Sequence, residues 1–107
     1  MPRRRRFTIV FAPETPSHLD VIERKDHRLI RRTIEVQLSF SPGQVTRNRE
    51  PLEQPAPYGA TWELRFGPGN RLRVFYDFDL GARLINVLAI GIKERNRLRI
   101  GGEEFEP

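Results

Sequence analysis

Residues Thr61 to Ile100 read TWELRFGPGNRLRVFYDFDLGARLINVLAIGIKERNRLRI. Trp62, Leu64 and Phe66 alternate with Thr61, Glu63 and Arg65, the period-2 signature of a strand with one apolar face. Gly67-Pro68-Gly69-Asn70 is a turn. Leu72, Val74, Tyr76 and Phe78 then alternate with Arg71, Arg73, Phe75 and Asp77. After a second turn over Asp79 to Ala82, Leu84 to Ile92 is apolar almost throughout, as expected of a central strand covered on both faces. The three runs predict an antiparallel meander. On that register its second face is cationic and partly open, carrying Glu63, Arg65, Arg71 and Arg73.

Upstream, Phe7 to Ala12 is β-branched and aromatic and predicts a strand that Pro13 ends. Thr15-Pro16 predicts the N-cap and first position of a short helix, with Leu19 and Ile22 as its contacts. A longer helix is expected over about Asp26 to Ser39. Leu29, Ile30, Thr33, Ile34, Gln37 and Leu38 follow helical spacing there, while Arg28, Arg31, Arg32 and Glu35 take the other side. Pro42 to Gly59 carries four prolines and predicts a long surface loop, pinned by Leu52. Phe7, Phe11, Trp62, Phe66, Tyr76 and Phe78 are the expected aromatic core. Phe75 and Tyr76 lie on opposite faces, so at most one of them is free to stack on a base. Together these elements predict a small single α+β domain over residues 7–107, preceded by a basic arm over 1–6. Its order is strand, helix pair, loop and three-strand meander.

The chain has 107 residues, enough for one domain with one modest core. It carries 19 Lys and Arg against 14 Asp and Glu, a formal charge of +5. Only Lys25 and Lys93 are lysines, so the cations are almost all guanidinium groups, which grip phosphate or carboxylate in bidentate fashion. An anionic partner follows (RNA, DNA or an acidic protein), with a solvated basic surface as the plain alternative. There is no cysteine, which excludes disulfide and thiolate chemistry and fits a reducing, cytoplasmic setting. MPRRRRFTIVFAPE is a poor signal peptide, and no run is long enough to span a membrane. No phosphate loop with Lys-Ser/Thr and no His/Asp cluster at metal spacing occurs, so neither a metal nor a cofactor is expected. His18 and His27 fall in the helical half and are expected as surface or capping residues.

The order of elements and three motifs resemble the RelE/ParE superfamily of bacterial toxins. The motifs are RNREPL (47–52), WELRFGPGNRLRVFYDFD (62–79) and INVLAIGIKERNRLRIGGEE (85–104). The resemblance runs from Phe7 to about Phe105. It implies a small mixed or antiparallel sheet with two N-terminal helices packed on it. RelE-like members cut messenger RNA in the ribosomal A site, and ParE-like members poison DNA gyrase. Both are silenced by an acidic antitoxin, through which any contact with DNA is indirect. Arg65 and Arg73 match basic positions of RelE-like toxins on the first two meander strands, and Lys93 or Arg95 matches one after the last. Where many RelE-like toxins carry a C-terminal Tyr or His, this chain has Arg99 and Ile100. Glu63 stands where a lysine can sit.

The resemblance implies Arg65 and Arg73 as catalytic residues, and the chemistry that RNA cleavage needs adds Glu63, which departs from the family pattern, as a third. Arg65 and Arg73 would stabilise phosphorane charge and Glu63 would act as base, with cross-strand ion pairing as the plain alternative. Arg71, Lys93, Arg95, Arg97 and Arg99 would hold RNA backbone, or form a solvated basic tail. Three functions stay open: a metal-independent messenger-RNA endoribonuclease that inhibits translation, a gyrase inhibitor, and a non-catalytic fold that only binds its antitoxin.

Overall fold

Apolar alternation drives the chain into a sheet whose one face needs a cover, and the amphipathic helix supplies it. The computed structural model describes residues 5–106. Strand β1 (Thr8–Phe11) leads into helices α1 (Thr15–Asp20) and α2 (Arg24–Leu38). Strands β2 (Arg49–Pro51), β3 (Trp62–Phe66), β4 (Leu72–Asp79), β5 (Leu84–Glu94), β6 (Arg97–Ile100) and β7 (Glu103–Phe105) follow. No described helix is long and apolar enough to cross a membrane. Residues 1–4 of the expected basic arm lie outside the described residues. Arg6 rests its guanidinium over the Phe40 ring at 6.0 Å.

β3, β4 and β5 form the expected antiparallel meander. They are the middle of a larger sheet, which has seven strands in the order β2-β3-β4-β5-β6-β7, with β1 added in parallel to β5. The three strands beyond the meander and β1 come from segments that lack clean alternation. Arg49–Pro51 pairs with β3 inside the proline-rich stretch. The basic run past Ile92 continues β5 to Glu94 and returns as β6, and the acidic terminus folds back as β7. Arg95 and Asn96 connect β5 to β6 with φ of 51° and 64°, the geometry of a two-residue primed turn. The basic segment is therefore a hairpin, not a tail.

Ile30, Ile34 and Leu38 form the buried stripe of α2 and pack with Leu64, Val74, Tyr76 and Val87 in the main core, with Trp62 at its margin. Leu29 lies on the flank of that stripe and is exposed. Thr15 opens α1, and Glu14 occupies the N-cap position expected for Thr15, whose hydroxyl instead donates to the Ala12 carbonyl. Phe11, expected in the core, is 42% exposed because the chain leaves the sheet right after it. Phe75 and Tyr76 are both buried, so neither offers a face for stacking. Phe75 joins a second cluster with Ala60, Ala89 and Ile100, roofed by Leu52 of the proline loop and by Leu98 and Phe105 of the C-terminal strands.

Arg49 is nearly fully buried although it reads as a loop residue. Its pairing opposite Leu64 points it under α2, where it donates to the carbonyls of Gln37 and Ser41 at the helix end. Tyr76 anchors the same region by donating its hydroxyl to the Pro42 carbonyl at 2.7 Å, and burial pushes its phenol far above the ordinary range.

One edge of β5 serves two partners. β1 occupies residues 84–87 and β6 occupies 91–94. His18 of α1 fills the gap between them, its Nδ1 accepting the Ile90 N–H at 3.3 Å and its Nε2 lying 3.2 Å from the Tyr58 hydroxyl. It is 3% exposed, so it is neither a surface nor a capping residue. His27 does cap, its Nε2 donating to the carbonyls of Leu19 and Ile22.

Ile34→Ala should cost about 2–5 kcal/mol in urea unfolding, since the side chain is fully enclosed. His18 should make stability acid-sensitive. Burial holds its imidazole below the ordinary 6.5, against a smaller opposing pull from Glu14. The unfolded chain thus binds the proton more readily, and stability should be complete above about pH 6.5 and fall as pH drops towards the lowered folded value. His18→Asn retains an acceptor for Ile90. Its urea midpoint should start lower, by about 1–3 kcal/mol of stability, and lose that acid slope.

Candidate functional site

β3 and β4 set Arg65 directly opposite Arg73, and β2 and β3 set Glu50 directly opposite Glu63. Like charges face to face across strands repel. The side chains resolve this diagonally. Arg73 Nη1 donates to Glu63 Oε2 at 3.3 Å. Arg65 Nε lies 3.9 Å from Glu63 Oε1, and Arg65 Nη1 lies 3.6 Å from Glu50 Oε1. Arg73 Nε is fixed by the Asn70 carbonyl at 2.8 Å. Glu63 is thereby held between two guanidiniums, one at each oxygen, with its side chain 11% exposed.

The strand carrying Arg65 is itself braced. Its N–H donates to the Asn48 carbonyl at 2.7 Å, and Asn48 Nδ2 donates to the Arg65 carbonyl at 2.8 Å. The backbone at Arg65 is thereby fixed, while its Nε is buried without a hydrogen-bond acceptor. That donor is closed to solvent, and the Nη groups of both arginines lie on the side of the sheet away from the helices. An anion docking there would find two forks already aligned.

The remaining candidates divide between the two faces. Lys93 pairs with Leu98 across the hairpin and shares the Arg65–Arg73 face. It is half-buried and forms no ion pair among the described residues. Arg95 sits at the exposed hairpin turn. Arg71 was expected beside Arg73, but it follows the turn with φ −75° and ψ −24°, which breaks the alternation. Its guanidinium instead reaches Asp26 of α2 at 2.9 Å and Glu94 at 3.8 Å. Arg99 pairs with Ile92, whose side chain packs on the helix-side core, and so emerges on the helix side. Arg97 shares that side and lies 3.7 Å from Glu104. The structure thus gathers Glu63, Arg65, Arg73 and Lys93 on one face and sends Arg71, Arg97 and Arg99 elsewhere.

Beside the cluster, a groove of about 330 Å³ runs between the proline loop and the C-terminal strands, with Glu63, Phe75 and Lys93 among its lining. Its walls escaped the sequence reading because they come from segments without periodicity. No known protein family, curated protein or solved structure matches this chain.

Glu63→Gln keeps the shape but leaves Arg65 and Arg73 facing each other with no charge between them. Stability should fall by about 1–3 kcal/mol, and the loss should shrink in high salt, where the repulsion is screened. Urea titrations at two salt concentrations measure both effects.

Proposed function

We propose that the chain is the toxin of a type II toxin–antitoxin pair, acting as a ribosome-dependent endoribonuclease on messenger RNA. The observation that carries this is the pair of guanidiniums set across from each other on adjacent strands, both converging on one carboxylate, on the sheet face that the helices leave free. The resemblance to RelE-like toxins supplies the target.

In this mechanism the scissile phosphate competes with Glu63 for the donors of Arg65 and Arg73. As it takes them, the Glu63 carboxylate is released beside the substrate. Glu63 then accepts the 2′-hydroxyl proton, the 2′-oxygen attacks phosphorus, and the bond to the 5′-oxygen breaks, leaving a cyclic phosphate. The arginines stabilise the charge that grows on the phosphorane. No His or Tyr touches this cluster among the described residues, so the departing 5′-oxygen takes its proton from water. Lys93 and Arg95 hold flanking backbone. Arg24, Arg28, Arg31 and Arg32 on the outer side of α2 form no ion pairs among the described residues, which suits an acidic antitoxin.

A second reading, a non-catalytic fold that only binds its antitoxin, draws on the charge balance of the cluster. Glu50, Glu63, Arg65 and Arg73 neutralise one another.

Arg65→Ala and Arg73→Ala should each lower messenger-RNA cleavage by about 10²–10³-fold while antitoxin binding stays intact. Arg65→Lys should recover only part, since a point charge does not replace a fork. RNA-end mapping after induction in a bacterium measures this. Growth arrest with intact messenger RNA and altered plasmid supercoiling would transfer the case to gyrase. No growth arrest with a tightly bound acidic partner would favour the non-catalytic reading.

A further inference from the structure

We infer that the groove beside the arginine pair is a pocket for a single unstacked nucleobase, with guanine preferred. This rests on the endoribonuclease reading above and names the part of the RNA that the same face would select.

The groove has the right materials. Its accessible apolar lining is Pro55, Leu98 and Phe105, over the buried Phe75 and Pro57. A planar ring resting on that apolar lining is shielded from water on one side, and the groove's volume of about 330 Å³ suits one base but not a duplex. Polar groups sit at its rim. Lys93 is a half-buried cation without an ionic partner among the described residues, and Glu53 is an exposed carboxylate likewise unpaired. An unpaired lysine and an unpaired carboxylate on one small groove call for a ligand with acceptors on one edge and N–H donors on another. Guanine has O6 and N7 as acceptors and a donor edge with its amino group. Uracil is smaller and has no amino group. The Asn96 side chain at the same rim adds a donor and an acceptor.

Position supports the same ligand. Glu63 lines the groove and is also held by Arg65 and Arg73, so the groove begins where the phosphate-binding forks end. A nucleotide whose phosphate sits on the arginines lays its base into the slot. An apolar peptide side chain would satisfy the walls but leave Lys93 and Glu53 unused.

The test is amide NMR of the full ¹⁵N-labelled chain, titrated separately with the 3′-monophosphates of guanosine, adenosine, cytidine and uridine, and with inorganic phosphate. Guanosine 3′-monophosphate should shift Asn96, Leu98 and Phe105 together with Arg65 and Arg73, at about one-tenth the concentration that the uridine nucleotide needs. Inorganic phosphate should shift only the arginine strands. Ala56→Phe fills the slot from a wall position with extended backbone, φ −128° and ψ 160°. It should erase the groove shifts and the base preference while keeping the phosphate shifts. If all four nucleotides shift only the arginine strands, as phosphate does, the base pocket is overturned and the phosphate site stands. If neither nucleotides nor phosphate shift anything, both fall. Groove shifts that survive Ala56→Phe at unchanged concentration overturn the pocket. So do groove shifts from an acidic, leucine-containing peptide with none from nucleotides.

Discussion

Strand β5 has two edges and three strands that pair along them. β4 takes one edge entirely, and β1 and β6 must share the other, end to end. A strand between two partners leaves backbone groups in the gap, and a buried N–H without an acceptor is costly. His18 removes that cost at Ile90 and in doing so fixes α1 against the sheet. The same side chain reaches Tyr58, so the proline loop is tied to the seam as well. β6 depends on Gly91, where a Cβ would stand 2.8 Å from the Arg99 carbonyl. The helix pair, the loop and the C-terminal hairpin are thus all placed by how one strand edge is divided.

The candidate face inherits its geometry from this arrangement. The meander alone would present Arg65 and Arg73 on a bare sheet. Instead the loop and the hairpin close over Phe75 and Ala89 from two directions and leave a groove between them, with the arginine cluster at its end. Facing arginines are a poor choice for stability, and the chain tolerates them by placing Glu63 between their forks. A carboxylate held in this way keeps the guanidiniums aligned in the free protein, and under the proposed function it would yield to the scissile phosphate. Local rules broken at one spot and compensated nearby are what a functional surface leads one to expect.

Much of this was legible from alternation and helical spacing. The meander, the buried stripe Ile30-Ile34-Leu38 and the placement of Glu63, Arg65 and Arg73 on one face follow from periods of 2 and 3.6, which each segment carries within itself. The strand β5 announced its two-sided burial through an apolar run that only Asn86 interrupts. Where alternation met a turn it failed. Arg71 shares parity with Arg73, yet the turn geometry before β4 swings it to Asp26 on the helix side. Phe11 has the composition of a core residue, but its neighbours come from elsewhere in the chain and do not reach it.

The sequence by itself determined the fold class, the central strands and the charged residues of the candidate face, because those depend on local periodicity and on side-chain chemistry. Only the tertiary structure decided that Arg49 caps α2, that His18 bridges a strand gap, and that Lys93 and Arg99 part to opposite faces. It also decided that the proline loop and the C-terminal hairpin wall a groove. Each of these is a contact between segments far apart in the chain. Short polar strands such as β2, β6 and β7 form because an edge is available to pair with, and that availability is a property of the assembled sheet.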